Sequence, residues 1–156
     1  MKINKIPIII LICISILSCK NSNNLPSKIY PRANEIGETV LDITYCNYET
    51  EEYIEEDATM EEAISYFRAL VRDYESFLTI GFNNTQVIQF VWEKNGKCLA
   101  EITNDGDERI YMQRYASTEE CIDMIRYTYT GDPNTLPGFL PVPIMDKTLD
   151  EVLREQ

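Results

Sequence analysis

The 156-residue chain contains no histidine. That absence removes Ser–His and Cys–His nucleophile pairs and every histidine-ligated zinc or haem site. Bases are scarce as well, 14 Lys and Arg against 26 Asp and Glu, for a formal charge of −12. A phosphate backbone is held by a basic face, so nucleic acid is not an expected partner. Only six glycines occur, and none belongs to a phosphate-cradling loop or a GxSxG elbow. No CxxC pair is present. No apolar run reaches the roughly 20 residues of a spanning helix. The remainder suits one folded domain, with 44% hydrophobic and 26% charged residues.

Residues 1–18 have the three parts of an export signal. Lys2 and Lys5 make a basic start, residues 6–17 form an apolar run interrupted by Pro7, Cys13 and Ser15, and Ile16-Leu17-Ser18-Cys19 closes it. A helix of that run is roughly 18 Å long, against a hydrocarbon core of about 30 Å, so it fits a cleaved signal and not a membrane span. Ile16-Leu17-Ser18-Cys19 resembles the lipobox of bacterial lipoproteins. The resemblance implies cleavage before Cys19, a diacylglycerol on its thiol and an acyl chain on the new amino group. Several acyl chains hold a protein at a bilayer where one alone does so marginally.

Residues 19–38 then read as a tether, rich in Asn, Ser and Pro as far as Pro31. Lys20, in place of the Asp that keeps many enteric lipoproteins in the inner membrane, favours the outer membrane. Loss of residues 1–18 removes two bases and no acid, leaving a charge of −14. Cys13 leaves with the signal and Cys19 is acylated, so Cys46, Cys98 and Cys121 remain. An odd number in an oxidising compartment allows at most one internal bridge and excludes a disulfide scaffold. The three are expected to be small buried apolar side chains.

Two helices are predicted. Thr59-Met60-Glu61-Glu62 and Ser117-Thr118-Glu119-Glu120 are capping boxes, in which the hydroxyl and the third-position carboxylate satisfy free amides reciprocally. Ala63, Ile64, Phe67, Leu70, Val71 and Tyr74 follow the first at helical spacing, and Cys121, Met124, Ile125 and Thr128 follow the second. Gly131 is expected to end the second helix in a left-handed conformation, with Pro133 preventing continuation. Strands are expected at 40–48, 77–82, 86–93, 97–103 and 108–115, with turns at Asn83-Asn84, Asn95-Gly96 and 104–107. Strands joined by short turns are antiparallel. The expected fold is α+β, a meander of about five strands over 39–131 with two main helices on one face. The core is expected from Leu41, Ile43 and Tyr45, from Ile88, Phe90 and Trp92, from Cys98, Ala100 and Ile102, and from Ile110 and Met112. Residues 132–156 form a proline-rich tail, expected to be extended and irregular with a short helix near 148–154.

The acidic run at 49–62 is the strongest functional feature. Glu49, Glu51, Glu52, Glu55, Glu56 and Asp57, followed by Glu61 and Glu62, stand there without one base. As a loop it repels itself, and a basic partner protein relieves that repulsion and is steered by it. The plainer expectation is a solvated loop that also favours the start of the first helix. The run lacks the alternating Asp/Asn and central Gly of a calcium loop, so no metal is expected. No cofactor or catalytic residue is expected either. Ten tyrosines, among them Tyr45, Tyr48, Tyr53, Tyr111, Tyr115, Tyr127 and Tyr129, supply either an interface patch or a core rim.

The stretches Gln89-Phe90-Val91-Trp92-Glu93, Asn95-Gly96, Leu99-Ala100-Glu101-Ile102 and Tyr115-Ala116-Ser117-Thr118-Glu119-Glu120-Cys121-Ile122 are similar to small α+β immunity proteins of bacterial polymorphic-toxin systems, over 39–131. The resemblance implies a membrane-anchored envelope protein that neutralises a toxin through a bound surface and performs no chemistry. A structural or accessory envelope lipoprotein and a small ligand-binding module are the competing expectations.

Overall fold

The computed structural model describes residues 31–72, 76–93, 96–103 and 109–156. The signal, Cys19, the tether up to residue 30, Tyr74, Asn95 and the turn at 104–107 lie outside the described residues. The elements are β1 (Arg32–Ala33), β2 (Thr39–Asn47), β3 (Glu52–Thr59), α1 (Met60–Ala69), β4 (Phe77–Gly81), β5 (Val87–Trp92), β6 (Cys98–Thr103), β7 (Ile110–Ala116), α2 (Thr118–Thr130), a 3₁₀ turn (Pro133–Thr135), β8 (Leu140–Pro143) and α3 (Leu149–Arg154). All strands belong to one antiparallel sheet, in the order β2-β4-β5-β6-β7-β8, with β3 and the short β1 both paired to β2. The class is α+β as expected, but the described sheet has eight strands and not five.

Alternation along each strand builds the core. Ile43, Ile80, Ile88, Ile102 and Met112 stand in register across five strands, and Tyr45, Leu78, Phe90 and Ala100 form the next row. Both rows face the principal apolar cluster, to which α1 contributes Ala63, Ile64 and Phe67 and α2 contributes Cys121, Ile122, Met124 and Ile125. Phe67 lies edge-on to Phe90, ring centroids 5.7 Å apart, and stacks on Trp92 at 6.2 Å, separations at which aromatic pairs attract. Both predicted capping boxes are formed, at Thr59–Glu62 and Ser117–Glu120, and Thr148–Glu151 makes a third at α3. Each carboxylate is held below its ordinary range by the backbone N–H that donates to it.

Three expectations are corrected. The acidic run is not a loop: β3 pairs with β2 from Val40↔Thr59 to Asn47↔Glu52. Helix α1 stops at Ala69, before Val71. The proline-rich tail is not irregular throughout, because Leu140–Pro143 extends the sheet beside β7. Alternate N–H groups of a strand point the same way, and Ile144 donates to Arg109 O at 3.0 Å. Val142 shares that inward parity, so Pro141 and Pro143 occupy positions whose missing N–H faces outward, as edge strands permit.

Gly131 also departs from expectation. Its φ of −145° is extended, not left-handed. The reason for glycine is space, since a Cβ there lies 2.7 Å from the Tyr127 ring, whose hydroxyl is 2.9 Å from Thr135 Oγ1.

One ion cluster ties the first three strands together. Asp42 and Asp57 are directly opposite on β2 and β3, a repulsive pairing when unscreened. Arg32, from β1, donates to Asp42 at 2.6 Å and also to Asp57. Arg32→Ala leaves two facing carboxylates without their cation. It is expected to lower stability by about 1 kcal/mol, and by less in 1 M salt, as read by urea unfolding. An unchanged midpoint at low salt contradicts this role.

Candidate functional site

The six acids expected to meet a partner are split between a hairpin tip and an edge strand. Glu49 and Glu51 sit in the β2–β3 turn, where Glu51 adopts φ +55°. Asn47 Oδ1 closes that turn by accepting from the Glu49 and Thr50 amides at 3.1 and 3.4 Å. Glu52, Glu55, Glu56 and Asp57 lie on β3, all exposed. The strand alternates, so Ile54 and Ala58 turn toward the core and Tyr53, Glu55 and Asp57 toward the opposite face. The Tyr53 hydroxyl donates to Glu55 and the Tyr66 hydroxyl to Glu56, each at 2.6 Å. Donation to Glu56 pushes the Tyr66 hydroxyl up to about 12, so it stays a donor. Tyr53 is 52% exposed and Tyr48 41%, which leaves two aromatic side chains beside the carboxylates. Tyr45, Tyr111 and Tyr129 are buried, so those three belong to the core and not to a surface patch.

A second feature had no signal beyond isolated bases in an acidic chain. A cleft of about 460 Å³ opens where the β5–β6 hairpin meets the start of α2, lined by Arg72, Trp92, Lys97, Tyr115, Thr118 and Glu120 among others. The Arg72 guanidinium lies 4.4 Å from the Trp92 ring centroid, and Lys97 Nζ lies 4.6 Å from that of Tyr115. Cations on ring faces keep their charge while losing water. The Tyr115 hydroxyl donates to Glu93 at 3.1 Å. Glu120, in the cleft wall, is paired with Arg114, which also donates to Pro137 O at 3.0 Å.

A third feature lies on the sheet face opposite the main core. Thr44, Thr79, Gln89, Glu101 and Gln113 stand in register across β2, β4, β5, β6 and β7. Gln89, Glu101 and Gln113 are each 5% exposed. Gln89 Nε2 donates to one Glu101 oxygen at 3.3 Å and Gln113 Nε2 to the other, while Thr79 Oγ1 donates to Gln89 Oε1 at 3.1 Å. No cation is bonded to this carboxylate among the described residues, and burial pushes its pKa up to about 7. The readable signal was parity, an acid in mid-strand flanked by glutamines at matching positions on the neighbouring strands.

Among the described residues no three His, Cys, Asp or Glu side chains stand close enough together to hold a metal ion. No helix there is long and apolar enough to cross a membrane. Comparison with protein-family models, curated sequences and solved structures finds no match.

Glu101 makes stability depend on pH. The unfolded chain releases that proton near 4.3 and the folded chain near 7. Its contribution therefore falls as pH rises between those values and is flat above. Glu101→Gln is expected to stabilise by about 2–3 kcal/mol at pH 8 and by little at pH 4, as read by urea unfolding. An equal difference at both pH values contradicts a buried neutral carboxyl.

Proposed function

We propose that this chain is a membrane-anchored envelope lipoprotein whose acidic edge binds a basic partner protein, most concretely a toxin that it neutralises by occlusion. The observation that carries this reading is β3. Among the described residues it pairs with β2 alone, so its outer edge is open there, and the strand carries exposed carboxylates and an exposed tyrosine. An open edge offers main-chain donors and acceptors, and carboxylates select basic side chains. The same charge keeps a second copy from pairing edge to edge, since two acidic strands repel. The lipobox resemblance at Cys19 supports anchoring, and an anchored chain would hold the acidic edge where an incoming toxin arrives.

A second reading is favoured by one observation. The Arg72–Trp92–Lys97–Tyr115 cleft gathers two cations on a chain of net negative charge, which suits a small anionic ligand.

Two measurements test the main reading. Cys19→Ser is expected to move the full chain out of the membrane fraction and remove the acyl mass. Full retention in membranes with an unchanged mature mass contradicts anchoring. Cells making the full chain are expected to survive toxin challenge, and the captured toxin should associate at least tenfold more slowly with a Glu49→Lys, Glu52→Lys, Glu55→Lys variant. No protection together with no partner in a pull-down overturns the reading, as does an association rate that the triple change leaves untouched.

A further inference from the structure

Three cysteines lie in the described residues, all buried and none bonded to another. Their surroundings differ. Cys46 belongs to a small cluster with Phe77 and Val91, while Cys98 and Cys121 share the principal core. Topology brings that pair together. Cys98 opens β6 directly opposite Ala116, the last residue of β7. Ser117 then caps α2, and the first turn of that helix carries Cys121 into the core that holds Cys98 and Ala116. Cys98 and Cys121 are thus both 0% exposed within one core, where the two thiols interact with each other.

We infer that Cys98 and Cys121 are the two halves of a disulfide that clamps α2 to β6 and β7 when the chain folds against a disulfide oxidant, leaving Cys46 as a free thiol. An oxidising compartment for the native chain rests on the envelope reading above. The pairing itself rests on the core geometry.

The chemistry is thiol–disulfide exchange. One cysteine thiolate attacks a sulfur of the oxidant's disulfide, breaking that bond and forming a mixed disulfide. The second cysteine, after losing its proton, attacks the protein-side sulfur and expels the oxidant's thiolate. Two electrons pass from the cysteine pair to the oxidant, and two protons are released. In the finished fold, contact with Cys121 and burial push the Cys98 thiol far above the ordinary thiol range, where it does not attack. Exchange therefore belongs to folding, before α2 seals the sheet.

The test uses the full-length chain with Cys13→Ser and Cys19→Ser, so that Cys46, Cys98 and Cys121 are its only thiols. It is reduced, unfolded, refolded in a glutathione redox buffer, then unfolded again and alkylated. The expected result is one alkylated cysteine, Cys46, and a linked peptide pair containing Cys98 and Cys121. Reduction should lower Tm by on the order of 10 °C. A Cys46→Ser version should show the same shift, and a Cys98→Ala, Cys121→Ala version none. Three alkylated thiols after refolding, or a bridge through Cys46, overturn the inference. The native chain, alkylated at lysis and fractionated, separates the two ideas. Envelope-located chain with three free thiols overturns the disulfide. Soluble, reduced chain that still forms the bridge on refolding overturns the envelope location and leaves the pairing standing.

Discussion

The attachment of β3 to β2 is the contact on which the acidic surface depends. Half of the residues of β3 are carboxylates, and its hold on the core comes from its two inward apolar residues. Ala58 is fully buried and Ile54 packs against the principal core. The Tyr129 hydroxyl, from α2, donates to the Ala58 carbonyl at 2.9 Å, and Arg32 neutralises the Asp42–Asp57 opposition from the far side of β2. Without these contacts the same residues are a self-repelling loop with no defined geometry. With them, acids are presented at strand spacing along one edge.

That edge is one end of a continuous mechanical unit. The rows that run from β2 to β7 place α1 and α2 over one face, so the helix contact at Ala58 and the strand contact at β2 reinforce each other. The opposite face carries the buried Gln89–Glu101–Gln113 row. A carboxyl enclosed between two amides and no bonded cation among the described residues is a cost to stability once it ionises.

Much of this architecture was legible from residue order because it follows from short-range rules. Period-two apolar rows marked β2 and β4 to β7, and reciprocal Ser/Thr–Glu spacing marked both main helices. The parts that were not legible are those where local preference opposes the outcome. Glutamate and aspartate are depleted in strands, and the inward side of β3 is half charged, so Glu52–Thr59 lacks the alternation that identified its neighbours. Prolines at 141 and 143 argued against a strand, yet their parity suits an edge. Gly131 ends α2 in an extended conformation, with the Tyr127 ring standing where a Cβ would lie, a contact that helix-end rules do not anticipate. The six acids were identifiable by composition, whereas their division between turn and edge, and the cleft formed by Arg72 and Lys97 on aromatic rings, arise from contacts between residues far apart in the chain.

Hydrogen–deuterium exchange along 52–59 in the full chain tests most directly whether the acidic strand is docked and its outer edge open. Alternate amides of β3 should be protected by β2 while those between them exchange quickly, and the fast set should become protected when the basic partner binds. Uniform protection in the free chain means the edge is already covered, and uniform rapid exchange means β3 is not docked. Either pattern contradicts the account.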